Sequence, residues 1–204
     1  MQSPRQQSLY DALATRILVL DGAMGTRLME HKPTPADFGG PQFENCNENL
    51  CRMHPEWILQ VHREYLDAGA DIVNDIRALQ APGALEVVRA HGRCGVCLMH
   101  MQGAPDTMQQ APVYDDVLDE VRAFLVGRLT ALRQVGVAEE RITLDPGIGF
   151  GKTPEHNLAL LRRQRELLDL GPPLLLGWSR KSTLGQLTGR PVSQRLVASV
   201  AAAL

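Results

Sequence analysis

The chain has 204 residues, 44% of them hydrophobic and 22% charged, with a formal net charge of −2. That is enough for one domain with a sizeable core and short for two. The near-neutral charge and 4% aromatic content supply neither the basic surface nor the stacking platform that nucleic acid needs, and give no reason to expect an anionic membrane partner. No apolar run approaches the roughly 20 residues of a membrane span. Met1 to Asp11 is polar and lacks the apolar core of a signal peptide. Four cysteines do not make a disulfide scaffold, so reduced thiols in a cytoplasm are the expectation.

In chain order, the first strand is expected at Arg16–Leu20, followed by a tight small-residue turn at Asp21–Thr26. Pro55–Ala68 reads as a helix, with Trp57, Ile58, Val61, Tyr65 and Leu66 at helical spacing and Gly69 as its stop. A strand follows at Asp71–Ile76, then a helix at Ala81–His91 ending on Gly92. Gly95–Met99 is the third strand. Asp115–Gln134 is the clearest helix: Asp115 or Asp116 caps it, Leu118, Val121, Leu125, Leu129 and Leu132 mark one face, and Gly136 ends it. Arg141–Leu144 is a strand, Pro154–Leu170 a helix, Pro173–Gly177 a strand and Ser193–Leu204 a helix. The strands are short Ile, Val and Leu runs, as burial on both faces requires.

Alternating strands and helices predict an α/β fold with a parallel sheet. About five strand–helix units are expected, fewer than the eight of a closed barrel. The close at Leu196–Leu204, inside an apolar run, suggests that further structure belongs with this chain.

Leu144-Asp145-Pro146-Gly147-Ile148-Gly149-Phe150-Gly151-Lys152-Thr153 and Gly177-Trp178-Ser179-Arg180-Lys181-Ser182 each pass from an apolar strand into a polar or glycine-rich turn and then a helix. Both turns fall at the strand end where α/β folds bind ligands. Asp145 either caps the next helix or faces the mouth of the sheet, where a carboxylate can accept two parallel hydrogen bonds from a planar amidine-like edge. Gly147, Gly149 and Gly151 favour the second by clearing side chains from that surface. Their spacing fits neither the Rossmann nor the P-loop pattern. Ser179 to Ser182 brings two cations and two hydroxyls to the same end. Asn74 and Asp75 end one strand; His100, after Met99, reads as a packed structural histidine. Cys94 and Cys97 have CxxC spacing but lie on a strand, and adding Cys46 and Cys51 gives no zinc-module interval, so no metal ligands are assigned.

From about Ala70 to Leu204 the sequence closely resembles the dihydropteroate synthase family. The resemblance rests on Gly69 to Ile76, Leu98 to Gly103, Thr107-Met108-Gln109, Tyr114-Asp115-Asp116-Val117, Leu144 to Thr153 and Gly177 to Ser182. Residues 1–73 instead resemble the opening of the homocysteine-binding module of cobalamin-dependent methionine synthase. That likeness rests on Ile17 to Thr26, Ala36-Asp37-Phe38, Asn47 to Leu50 and the helix running into Ala68 to Val73.

Both families are (β/α)8 barrels, so the resemblance implies a partial TIM-barrel-like fold, with residues 1–73 and 74–204 packed as one domain. It also implies a transferase that condenses a 6-hydroxymethyl-dihydropterin diphosphate with 4-aminobenzoate. The pterin would be bound by Asn74, Met99, Asp145, Gly149, Phe150, Gly177 and Lys181, with Asp145 and Lys181 also catalytic. Ser182 would lie near the aminobenzoate. Mg2+ and a homodimer are implied as well. The family's first-strand Asn-Val-Thr-Pro-Asp-Ser-Phe loop, its Ser-Val-Asp-Thr strand and its final Arg-x-His are not in this sequence, and activity is expected to suffer. The alternatives are a non-catalytic pterin-binding fragment and a homocysteine or folate methyltransferase. The latter is the weaker, because the Gly-Gly-Cys-Cys-Gly zinc pattern is also absent.

Overall fold

The computed structural model describes residues 11, 24–44, 46–104 and 107–203. Helices α1 (Met24–Met29), α2 (Leu50–Met53) and α3 (Pro55–Asp67) precede β1 (Ile72–Asp75), α4 (Ala84–His91) and β2 (Gly95–Met99). Then come α5 (Val117–Gln134), β3 (Ile142–Asp145), α6 (Pro154–Arg163), α7 (Arg165–Leu168), α8 (Ser182–Thr188) and α9 (Leu196–Ala201). The strands form one parallel sheet in the order β1-β2-β3.

Register and the two-residue period of a strand divide the sheet into two faces. Val73, Val96 and Ile142 lie in one row and Leu98 with Leu144 in another. These five belong to a core cluster that also takes Val117, Leu118, Val121, Leu125, Leu129 and Leu132 from α5. Asn74, Cys97 and Thr143 share a row on the opposite face, and Met99 and Asp145 share the next. The inner face therefore ends in Met99 and Asp145. A second cluster, Leu28, Phe38, Leu50, Cys51, Ile58 and Val61, joins α1, α2 and α3, and the Arg27–Glu64 ion pair ties α1 to α3. Trp57 packs against this second cluster. It is sandwiched between the rings of His31 (4.4 Å) and His54 (4.0 Å).

Local chemistry explains the helix boundaries. Asp116 caps α5 by accepting from Leu118 N (2.8 Å) and Asp119 N (3.0 Å), and Gly136 closes it in a left-handed conformation (φ 80°). Thr153 and His156 form a capping box at α6, whose first residue is Pro154. α4 starts at Ala84 rather than Ala81 because Gly83 is left-handed (φ 80°).

Some expected elements differ. The strand expected at Arg16–Leu20 lies outside the described residues, as do Asp21 to Ala23; Met24 to Thr26 begin α1 instead of completing a turn. Pro173–Gly177 makes only an isolated parallel bridge, Leu144 to Leu174. Pro173 accepts from Leu144 N but has no N–H to donate, and Trp178 N turns back to Leu176 O, so the ladder does not extend. The helix expected over Pro154–Leu170 breaks at Gln164 into α6 and α7, and the last helix shrinks to α9 after a 3-10 turn at Val192–Gln194. α9 leaves Leu196 (72%), Val197 (78%) and Val200 (51%) exposed.

Candidate functional site

Asp145, the last residue of β3, is buried beneath the glycine loop that follows it. Its Oδ1 accepts from Gly147 N at 2.7 Å. Burial pushes its carboxyl up to about 6, against that hydrogen bond and the attraction of Lys181 and Lys152. Gly147 is left-handed (φ 70°), and a Cβ there would lie 1.8 Å from the His100 carbonyl oxygen. A Cβ on Gly151 would lie 2.7 Å from Gln102 O. The loop thus packs backbone to backbone on the segment after β2, so these two glycines serve close approach.

Lys152 holds the loop from below. Its buried Nζ donates to Phe150 O (2.9 Å), Gly147 O (3.1 Å) and His100 O (3.4 Å), and lies 2.9 Å from His100 Nδ1. Burial pushes Lys152 down to about 7, against the attraction of Asp145. The acceptors around Nζ favour the charged form and oppose that depression. His100 is buried, edge-on to Phe124, and burial followed by the nearby lysine lowers it to about 3. A neutral imidazole accepting at Nδ1 carries its proton on Nε2. The structural reading of His100 fits this packing.

The upper surface of the loop faces Lys181, whose Nζ stands 4.3 Å from the Phe150 ring centroid. A Cβ on Gly149 would touch Lys181 Cδ at 3.3 Å, and one on Gly177 would approach Cε at 4.0 Å. Met99 is paired in register with Asp145. Met99, Asp145, Gly149, Phe150, Gly177 and Lys181 are therefore one neighbourhood. Ser182 follows as the exposed first residue of α8. Asn74 shares the inner face but sits two strands away and one row lower, on the order of 10 Å from Asp145 across the sheet.

Sequence reasoning missed several supports. Lys152, for which the sequence signals no separate role, is the buried centre of the loop. Gln109 Nε2 reaches Gly149 O (2.5 Å) and Tyr114 Oη reaches Gly151 O (2.7 Å), so the Thr107–Gln109 and Tyr114 segments brace the loop. Asn157 accepts from Gly149 N (3.0 Å) and donates to Thr183 Oγ1 (2.9 Å), joining the two turns. Arg195 donates to Arg180 O (3.0 Å) and lies flat on Gly185; nothing in the spacing of a surface arginine signals that.

Replacing Lys152 with methionine keeps the stem and removes the donors. Leaving the Phe150 and His100 carbonyls short of a partner is expected to cost about 2–4 kcal/mol, read as a lower urea midpoint at unchanged slope. A midpoint equal to the parent's would show that the clamp contributes nothing.

The pterin binding enzyme family profile matches residues 57–204. The chain belongs to the pterin binding enzyme family. A second profile, homocysteine S-methyltransferase, matches residues 18–74, so both resemblances read from the sequence are found. Dihydropteroate synthase of Escherichia coli K12 is 50% identical over 145 residues, 71% of this chain and 51% of that protein. Among solved structures, Stenotrophomonas maltophilia dihydropteroate synthase with active site-bound imidazole superposes with a TM-score of 0.68 at 50% identity, covering 71% of this chain and 54% of that one. The Xanthomonas albilineans enzyme with 4-aminobenzoic acid gives 0.65 at 46% identity, covering 71% and 50%. The chain spans about half the length of the curated relatives it matches. For this member of the pterin binding enzyme family the likeness bears out a partial (β/α)8 barrel built on a parallel sheet. No helix among the described residues is long and apolar enough to cross a membrane.

Proposed function

We propose that this chain carries the pterin site of a dihydropteroate synthase-type transferase, which joins 4-aminobenzoate to a 6-hydroxymethyl-dihydropterin diphosphate in folate biosynthesis. The observation that carries the reading is the buried Asp145 carboxylate at a strand end, with Lys181, Phe150 and bare Gly149 on the adjoining surface. An ionised carboxylate takes two parallel donors from the 2-amino and ring N–H edge of a pterin, and the Lys181 ammonium donates to its ring acceptors. Met99 and Phe150 give apolar contact, Gly149 and Gly177 leave space, and Ser182 adjoins the aminobenzoate. In the transfer, the aniline nitrogen attacks the exocyclic methylene carbon; the C–N bond forms, the C–O bond breaks with its electron pair leaving on diphosphate, and the nitrogen loses a proton.

Mg2+ is implied by the family. Among the described residues no group of three His, Cys, Asp or Glu side chains converges to hold a metal ion. The nearest carboxylate on β1, Asp75, already accepts Arg77 N and Leu79 N. The described residues do not by themselves form a Mg2+ site. The sequence motifs with which the family stabilises charge on departing diphosphate are not in this sequence. Such electrostatic contributions are worth ~10²-fold or more each, so the 204-residue chain is expected to bind pterin and turn over slowly.

The same reading places the protein in the cytoplasm, divides it at residues 73 and 74 into pieces packed together, and makes it a homodimer; the exposed apolar face of α9 supports the last. A homocysteine or folate methyltransferase is the second reading, favoured by the profile match over residues 18–74.

Calorimetric titration with 6-hydroxymethylpterin, beside an Asp145→Ala control, tests the assignment. Saturable binding that falls at least about tenfold in the control is expected. No binding by a folded chain, or equal binding by the control, would sink it.

A further inference from the structure

The turn after β1 is tied down more heavily than its length requires. Ala78 and Leu79, both buried, have consecutive positive φ values of 50° and 60°. Asp75 accepts from Arg77 N (2.9 Å) and Leu79 N (2.8 Å). From the other side, Arg128 on α5 donates to Ala78 O (2.8 Å) and Leu79 O (3.1 Å). A carboxylate on the amides and a guanidinium on the carbonyls hold two non-glycine residues in a conformation they rarely adopt, and such over-determined backbone clusters at ligand sites.

What this turn presents is Arg77. Its guanidinium makes one side-chain hydrogen bond, Nη1 to Cys51 O at 3.1 Å, and among the described residues no carboxylate pairs with it. Among the described residues, four of its five N–H donors are not engaged. Arg77 lines a cavity of about 100 Å3 together with Arg52, Gln80, Ile76, Met101 and Phe124. One water needs ~10–15 Å3 of such space, so a small polyatomic ion fits. The lining contains two arginines and no acidic side chain. Ile76 directly follows the last residue of β1, and Met101 comes two residues after the end of β2. The cavity is therefore lined by residues that follow the same end of the parallel sheet at which Asp145 stands.

We propose that this cavity is an oxyanion site in which the Arg77 fork grips a phosphate, free or carried by a larger ligand, with Gln80 adding an amide donor. Planar guanidinium donors match two phosphate oxygens at once, and the strained turn fixes the fork before the ligand arrives. The site stands independently of pterin binding.

The test is calorimetric titration of the whole chain with inorganic phosphate and, separately, phenyl phosphate, at constant ionic strength set with sodium chloride. Saturable binding of one equivalent is expected, weakened at least tenfold by Arg77→Met, which keeps the apolar stem, and retained by Asp145→Ala. Tighter binding of phenyl phosphate would identify a phosphoryl group on a larger ligand; tighter binding of inorganic phosphate would identify the free ion. Should Arg77→Met fail to fold, Gln80→Leu at the exposed edge decides, with a severalfold loss expected. Absence of saturable phosphate binding by the folded parent, or a folded Arg77→Met chain that binds as the parent does, overturns the site. Loss of pterin binding in Asp145→Ala with phosphate binding intact would separate the two assignments.

Discussion

Gly147→Ala is expected to cost more than about 4 kcal/mol, a loss reserved for a short set of causes including backbone strain and overpacking. Both apply here. The residue has φ 70°, where a side chain is strained, and the new Cβ would lie 1.8 Å from the His100 carbonyl oxygen. That oxygen belongs to rigid backbone: His100 N donates to Asp145 O (2.9 Å) and His100 O faces Lys152. Relief would require the ends of β2 and β3 to separate, which dismantles the Asp145 turn as well. For a chain of this length the loss corresponds to roughly 10 °C or more in melting temperature. Gly149→Ala is the internal control: its φ is 82°, but its Cβ would meet only the flexible Lys181 side chain at 3.3 Å, so roughly 1–2 kcal/mol is expected. Thermal melts of both variants check this; equal losses would show that the His100 contact is not what makes Gly147 necessary.

Asp145→Asn is expected to move stability and binding in opposite directions. The carboxyl is held near 6 in the folded chain, above its ordinary 3.8, because burial penalises the charged form. Between these two pH values the folded state binds more protons than the unfolded state, so stability falls as pH rises through the window. The penalty is fully present above about 6. At 1.36 kcal/mol per unit, a shift of about two units amounts to ~3 kcal/mol. Asparagine keeps an acceptor for Gly147 N without the charge, so a gain of roughly 1–3 kcal/mol at pH 8 is expected, shrinking toward zero below pH 4. Urea midpoints across that range measure it.

Pterin affinity should fall about 10²-fold in the same variant, since each hydrogen bond to a charged group is worth ~1.5–3 kcal/mol and 1.4 kcal/mol is tenfold. In the parent chain, affinity should weaken as pH drops through about 6, where Asp145 takes up a proton. A variant that gains no stability at pH 8 would contradict the buried-carboxylate account.

Much of the fold was legible because its signals are local. Gly95–Met99 has the expected bounds, Asp116 caps α5, and the five leucine and valine positions expected on the α5 face are all buried. Pro173–Gly177 misled because a run of leucines reads as strand, while ladder formation depends on N–H groups that prolines lack and on where Trp178 turns. In the site, the glycines and Asp145 stood out because backbone geometry restricts residue type. Lys152, Arg128 and Arg195 did not: their partners include carbonyl oxygens 52, 50 and 15 positions away, and a carbonyl carries no sequence signature. Resemblance groups Asn74 with Asp145, and register puts it on the same face, two strands off.

The two tryptophans of the chain fall one in each core: Trp178 is buried with the sheet and α5, while Trp57 lies against α1 to α3 between two imidazoles. The protein thus carries a separate fluorescent reporter for each packing unit. In single-tryptophan chains, Trp57→Phe and Trp178→Phe, emission during a urea titration follows one cluster at a time, and the spacing of the two midpoints measures how far the helices that precede β1 melt together with the barrel strands behind them.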